Sequence, residues 1–325
     1  QLGIGTITLE SELPKAIPAL SAYRVVHVAC GAQHSAAVTS CGDVFTWGRG
    51  TEGQLGHASR HLPPELNDAI TGVQLRPKPV PAFLATKKHQ RPVAGVACGA
   101  NFTLVVTRAG EAWAFGGGAM GQLGIGRVTS VGVPKMVMPS CPATGEPFVE
   151  VAAGWAHALA RTSGGRILSW GFNALGALGL GDHRTRFLPE AVPLDGITAV
   201  KLHACGNCSG ALSTDGELFT WGCDSAGGLG HRGEGEGQYG RPERVEHVLR
   251  PRRVERLVGA QVTDFALSNK GGVALVPPRV ASIEPASGPM ESGCKVVIKG
   301  YGFWDSPDIV VKFTPVSKGH KPSAS

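Results

Sequence analysis

Residues 25–56 have the sequence VVHVACGAQHSAAVTSCGDVFTWGRGTEGQLG, in which short apolar runs alternate with glycine-containing turns. The runs are rich in Val, Ala, Phe and Trp. Such runs are typical of short strands, and tight glycine turns between them are typical of an antiparallel meander. The stretch therefore predicts one small β-sheet.

The same order of motifs returns three more times, at a spacing of about fifty residues. The predicted strands of the four units fall within residues 25–48, 96–116, 149–171 and 200–222. The ends carry partial copies, because residues 1–5 repeat the G-Q-L-G tail and residues 262–275 keep only the first two apolar runs. Short sheets repeated at this period favour a β-propeller of four-stranded blades, in which radial packing protects the strand edges. Five repeats can be counted, four complete and one split between the ends.

The motifs V-x-x-V-A-C-G-x-x-H, D-G-x-V/L-F-x-W-G and G-Q-L-G resemble the regulator of chromosome condensation repeat over residues 1–276. The resemblance implies a propeller that commonly has seven blades. Family members act as guanine nucleotide exchange factors, ubiquitin-ligase modules, photoreceptors or scaffolds. Five repeats then mean either a five-repeat ring or part of a seven-bladed one.

A second segment begins after Pro277 and Pro278, where the repeat pattern stops. Apolar runs around a Ser-Gly-Pro turn in residues 277–316 resemble the opening strands of the immunoglobulin-like IPT/TIG domain. The segment has about half the length of a full sandwich, so we expect a partial domain. Residues 317–325 are expected to form a disordered tail.

The composition indicates a globular protein with many turns, because 42% of residues are hydrophobic, 17% are charged and 47 are glycine. A net charge of +6 permits weak attraction to acidic partners. No apolar run is long enough for a membrane span and no export signal is visible. An intracellular location, in cytoplasm or nucleus, is favoured.

Cys205 and Cys208 have the spacing of a redox or metal motif. In the alignment of the repeats, Cys205 falls on the position of Cys30, Cys98 and Ala153, where a small buried residue is expected to pack the inner strand. Interchange of cysteine with alanine also argues against a disulfide framework. We therefore predict that neither cysteine is a metal ligand.

His34 and His157 share one repeat position, which the same alignment fills with Phe102 and Ser209 in the other units. Recurrence in equivalent blades favours a structural hydrogen bond over catalysis. The tryptophans of the Trp-Gly strands are expected to pack blades rather than absorb light, since the photoreceptor motif Gly-Trp-Arg-His-Thr is approximated only once, at residues 154–157. The sequence indicates no catalytic residue, no cofactor and no metal site.

The sharpest charge feature is a basic stretch over residues 241–256. Its arginines are the candidate partner-binding residues, namely Arg241, Arg244, Arg250, Arg252, Arg253 and Arg256. They are expected to form a loop between blades. This loop is either a passive surface or a binding site for an acidic protein. Nucleic-acid binding is least favoured, because no aromatic residues lie between the arginines to stack on bases.

Function is expected to be non-catalytic protein binding through loops on a rigid frame, with residues 57–92 and 232–261 as the longest connections. The alternative is guanine nucleotide exchange on a small GTPase, with residues 57–92 as the segment that opens the nucleotide site. A nucleotide-release assay separates the two.

Overall fold

The computed structural model describes residues 1–6, 11, 13–58, 72–84, 91–138, 145–194, 196–224, 227–231, 246–268, 270–284 and 297–301. Two compact units divide the chain, residues 1–275 and residues 276–325.

Four antiparallel sheets of four strands follow one another in the first unit, and each keeps its strands in chain order. Blade 1 contains β1 (Val25–Cys30), β2 (His34–Thr39), β3 (Val44–Gly48) and β4 (Gln74–Pro79). Blade 2 contains β5 (Val93–Cys98), β6 (Phe102–Thr107), β7 (Ala112–Gly116) and β8 (Val131–Met136). Blade 3 contains β9 (Phe148–Ala153), β10 (His157–Thr162), β11 (Ile167–Gly171) and β12 (Arg186–Ala191). Blade 4 contains β13 (Ala199–Cys205), β14 (Cys208–Ser213), β15 (Leu218–Asp224) and β16 (Glu246–Arg253).

These sheets confirm the predicted propeller fold and the three strands expected in each unit. A two-stranded sheet follows them, made of β17 (Asp264–Leu267) and β18 (Gly272–Leu275). It corresponds to the two apolar runs of the split repeat. In the second unit, β19 (Arg279–Glu284) pairs antiparallel with β20 (Val297–Tyr301). The predicted tail, residues 317–325, lies outside the described residues.

The two segments that were expected to be long connections, residues 57–92 and 232–261, each contain the fourth strand of a blade. β4 occupies part of residues 57–92, and β16 occupies part of residues 232–261. The rest of both connections falls largely outside the described residues. These strands share the pattern P-x-x-V, which begins at Pro77, Pro134, Pro189 and Pro251. The closing valines are buried, and each donates its backbone N–H to the first residue of the third strand, as Val80 does to Val44 at 2.8 Å.

The core lies between neighbouring blades, which pack in chain order. Ala36, Val38 and Val44 of blade 1 pack against Val105 and Phe115 of blade 2. A second cluster joins blades 2 and 3 through residues that include Phe102, Leu104, Ala158 and Trp170.

The G-Q-L-G tail of each unit crosses to the next blade. Gly181, just after the tail between β11 and β12 of blade 3, donates its N–H to the Leu249 carbonyl of β16 at 2.8 Å. Gly126 makes the same bond to Phe187 of β12 at 3.0 Å. Adjacent blades are therefore linked by the backbone as well as by the apolar core.

Candidate functional site

The recurrent histidines lie at blade junctions. His34 of β2 places Nε2 2.9 Å from Thr103 Oγ1 of blade 2, and His157 of β10 places Nε2 2.8 Å from Ser209 Oγ of blade 4. Each hydroxyl donates its own proton to a tail carbonyl, Gln54 O and Ala177 O respectively, at 2.8 Å. The hydroxyl must then accept from Nε2–H, so both imidazoles donate through Nε2. These are the structural hydrogen bonds that the sequence favoured.

The strand register corrects the alignment of the fourth unit. His34, Phe102 and His157 each pair with the glycine that follows the aromatic residue of the third strand, and Cys208 pairs with the equivalent Gly222. Cys208, not Ser209, therefore fills the histidine position. Ala204, not Cys205, is the equivalent of Cys30, because Ala204 pairs with Ser209 as Cys30 pairs with Ser35. The Cys-Gly dipeptide misled the alignment because it recurs one residue out of register.

Burial keeps these histidines neutral. It lowers the pKa of His34 and His157 to about 4, well below the ordinary value of 6.5. His57, whose Nε2 lies 2.8 Å from Thr46 Oγ1 inside blade 1, has its pKa lowered to about 4 for the same reason. With pKa values this low, each of these rings is a weak base near neutral pH.

The tryptophans of the Trp-Gly dipeptides in blades 1, 3 and 4 are buried and contact the tails. Trp170 and Trp221 donate Nε1–H to Gln122 O and Ala177 O, both at 2.9 Å. Trp47 donates to Gln1 O at 2.6 Å. They pack blades, as predicted. Trp155, in the turn between β9 and β10, is by contrast 58% exposed.

The cysteines differ from the expected uniform packing role. Cys208 is buried and its thiol donates to the Cys223 carbonyl at 3.1 Å, while burial raises its pKa to about 12. Cys205 is only partly buried and Cys30 is exposed. Over the described ranges no group of three or more His, Cys, Asp or Glu side chains has a metal-binding arrangement. That Cys205 and Cys208 bind no metal remains a prediction.

Sequence reasoning missed a set of ionic contacts between the inner strands. Glu150 of β9 accepts from the Leu202 N–H of β13 at 3.1 Å and pairs with Arg161 at 2.9 Å. Lys201 of β13 pairs with Asp264 of β17, whose pKa is lowered mainly by that hydrogen bond. Their only sequence signal is a charged residue just before the apolar centre of β9, β13 and β17.

The basic stretch forms a strand where a loop was expected. Arg250, Arg252 and Arg253 lie in β16, which pairs with β15 on one side and is the outer strand of blade 4. Arg241 and Arg244 lie outside the described residues. Arg256 follows β16 in a single 3-10 turn over Glu255–Leu257 and is exposed.

The described arginines are not equivalent. Arg253 is half-buried and pairs with Glu217 at 2.9 Å and Glu255 at 3.3 Å. Arg250 and Arg252 are exposed and two residues apart, and neither has an ion-pair partner among the residues that the structure describes. Their side chains are exposed on an outer strand and can contact an approaching acidic surface directly.

Charged residues at the equivalent position of the other outer strands suggest that Arg252 also protects the edge of its sheet. The position of Arg252, opposite the centre of the third strand, is held by Lys78, Lys135 and Glu190 in the other blades. Charges and prolines on edge strands deter pairing with other chains. Blade 1 carries the equivalent exposed cations, Arg76 and Lys78 on either side of Pro77, and blade 4 differs in having arginine at both positions and a third arginine, Arg253.

Four-stranded antiparallel blades joined by buried junctions and crossing tails define this unit as a β-propeller. The family model of the RCC1-like domain matches residues 1–266, and that of the IPT/TIG domain matches residues 278–317. The chain belongs to the RCC1-like domain family, and an IPT/TIG domain follows its propeller.

Curated relatives include the ultraviolet-B receptor UVR8 of Arabidopsis thaliana, 34% identical over 71% of this chain and 48% of its own length. The human E3 ubiquitin-protein ligase HERC2 is 32% identical over 82% of this chain and 5% of its own length. The chain thus spans less than half the length of either relative. Within the part of the chain that the structure describes, no helix is long and apolar enough to cross a membrane.

Solved structures agree on the fold. Human WBSCR16 superposes with a TM-score of 0.62 at 24% identity, covering 78% of this chain and 60% of its own. Prp20p of Saccharomyces cerevisiae superposes with a TM-score of 0.59 at 21% identity, covering 79% of this chain and 58% of its own.

Proposed function

We propose that the propeller is a non-catalytic scaffold that binds an acidic protein through the arginines on the outer strand of blade 4. The observation that carries the proposal is the pair Arg250 and Arg252, exposed on β16 beside a third arginine that is already paired. Family membership supports a protein-interaction or regulatory role. The relatives include a photoreceptor and ubiquitin ligases, which have this type of domain in common but no common reaction.

The exposed arginines of β16 are better suited to binding a partner than to stabilising the fold. Exposed ion pairs contribute about 1 kcal/mol or less, whereas clustered charge accelerates encounter and makes it salt-sensitive. Arg253 is excluded from the binding set because Glu217 and Glu255 hold it. Its substitution would confound binding with local stability.

The test is capture of partners from lysate by the full chain at two ionic strengths. The Arg250→Gln/Arg252→Gln variant should lose acidic partners at low salt, while the wild type loses them only at high salt. Arg49→Gln/Arg127→Gln, with two exposed arginines elsewhere, is the matched control. Identical capture by wild type and the β16 variant at low salt would refute the proposal.

Guanine nucleotide exchange is the second candidate. Prp20p of Saccharomyces cerevisiae binds Gsp1p and histones, and its propeller is similar to this one. The similarity supports the fold alone, so exchange requires its own test. Acceleration of labelled-nucleotide release across a panel of small GTPases would favour exchange over a purely scaffolding role.

A further inference from the structure

The turn between the first and second strands of blade 4 differs chemically from the same turn in the other blades. In blades 1–3 a glycine faces a ring across this turn, in the pairs Gly31–His34, Gly99–Phe102 and Gly154–His157. Each glycine donates its backbone N–H to the carbonyl of the ring residue, at 2.8 Å in blade 1 and 2.9 Å in blades 2 and 3. In blade 4 the equivalent pair is Cys205 directly opposite Cys208.

The two side chains of this pair occupy the same space. A β-carbon added at any of the three glycines would collide with Cε1 of the ring opposite. In blades 1–3 the ring therefore lies over the glycine, and one side chain fills the place of two. Blade 4 has a small side chain at both positions, so its two cysteine side chains share the space that a single ring fills in the other blades.

The strand register makes this cysteine pair particular to blade 4. Ala153 and Ala204 are equivalent, because Ala153 pairs with Ala158 as Ala204 pairs with Ser209. The interchange of cysteine with alanine among the repeats therefore does not concern Cys205. In the register that the structure shows, none of blades 1–3 has a cysteine at either position of the pair.

The backbone spacing suits a disulfide. Directly opposed residues of an antiparallel pair have Cα atoms about 4.5–5.5 Å apart, which lies within the span of about 4.4–6.8 Å that a disulfide bridges. Both thiols are free in this structure. Cys205 is partly buried, whereas Cys208 is buried and donates its thiol proton to the Cys223 carbonyl at 3.1 Å. The more accessible Cys205 is therefore the thiol that an external reagent meets first.

We propose that Cys205 and Cys208 form a reversible disulfide across the β13–β14 hairpin, by exchange with a small-molecule disulfide such as oxidised glutathione. The Cys205 thiolate attacks one sulfur of the reagent, which forms a mixed disulfide and releases one glutathione. Cys208 then loses its proton and attacks the Cys205 sulfur, and the second glutathione leaves. Two protein thiols are oxidised to one disulfide, and one disulfide is reduced to two glutathione thiols, so that electrons and protons balance.

The hairpin is held in the paired conformation before oxidation. The Gly206 carbonyl accepts a hydrogen bond from the Trp155 N–H of blade 3 at 2.6 Å, and the Asn207 carbonyl accepts one from the Cys223 N–H of β15 at 3.0 Å. Because both contacts come from outside the hairpin, they fix the turn that brings the two cysteines together. Such preorganisation favours closure of the pair over accumulation of the mixed disulfide. The pair lies on β13 and β14, and the proposal does not depend on the arginines of β16.

Mass spectrometry of the folded full chain tests the proposal. The chain is incubated with an excess of oxidised glutathione, its remaining thiols are blocked with N-ethylmaleimide in denaturant, and trypsin then releases residues 202–232, which contain Cys205, Cys208 and Cys223. We expect this peptide to lose the mass of two hydrogen atoms and to carry a single blocking group. Treatment with dithiothreitol before blocking should restore all three reactive thiols.

Two alanine variants identify the bonded pair. Cys223→Ala should still form the disulfide, whereas Cys205→Ala should lose it completely. The two sites are matched because both are partly buried, and thermal unfolding verifies that both variants fold. A wild-type peptide that keeps three thiols, or that accumulates a glutathione adduct instead, would overturn the proposal. A disulfide that persists in Cys205→Ala or disappears in Cys223→Ala would also overturn it, because Cys223 would then be one of the bonded residues.

Discussion

Polar and apolar pairs alternate at one register position of the blade junctions. His34 meets Thr103, Phe102 packs with Ala158 in the core, and His157 meets Ser209. A histidine is present where the next blade supplies a hydroxyl, and a phenylalanine where it supplies a methyl group. The pairing gives each histidine Nε2 and each hydroxyl at these junctions a hydrogen-bond partner. It also explains why histidine recurs without any shared chemistry.

Neutral buried histidines make stability depend on pH. The pKa values of His34, His57 and His157 are lowered to about 4, below the 6.5 of an unfolded chain. The unfolded state therefore binds more protons between these values, so stability is full above about pH 6.5 and falls as the pH drops toward 4. Each histidine contributes up to about 1.4 kcal/mol per pH unit in that window.

Urea unfolding from pH 7.5 to pH 4.5 measures this loss. The variant His157→Phe/Ser209→Ala copies the Phe102–Ala158 pair and removes one titrating group, so its stability should fall less steeply with acidification. Equal slopes for variant and wild type would contradict the assigned role of His157.

At the scale of elements, the tail glycines fit against the next blade. Gly179 has φ +72°, and a methyl group at its Cα would come within 2.8 Å of Trp221 Nε1. Gly124 makes the same approach to Trp170, at 2.7 Å. A side chain there would suffer both backbone strain and a collision with a buried ring.

The two penalties can be separated by comparing Gly179→Ala with Gly259→Ala. Gly259 has φ +78° with nothing within 4 Å of an added methyl group, so its substitution costs strain alone, about 1 kcal/mol. Gly179→Ala adds overpacking and should cost about 3 kcal/mol in total. Denaturant unfolding gives both values. Equal losses would mean that the tail does not pack on Trp221 as described.

The strands differ in how well the sequence predicts them. The first three strands of every blade were predictable because apolar runs and glycine turns recur in fixed order. A fourth strand was expected in each blade but was not placed in the sequence, because proline and charge interrupt the outer strands, as in β4 and β16. The recurring P-x-x-V pattern was the available signal. The pairing of Arg253 with Glu217 could not be foreseen, because the residues are 36 positions apart and meet only through strand pairing.

At the scale of the molecule, tails and junctions connect the blades in series. A frame linked in this way can present a charged outer strand without depending on it for stability. That separation of frame and binding surface is the central claim for this protein.

Native-state hydrogen exchange on the wild type and the Arg250→Gln/Arg252→Gln variant tests that claim most directly. We predict that the amides of β2, β6, β10 and β14, the buried second strands, exchange slowest and with similar opening free energies in both proteins. Amides of β14 that lose protection in the variant, or second strands that open at widely different free energies, would contradict a single frame carrying a separable binding surface.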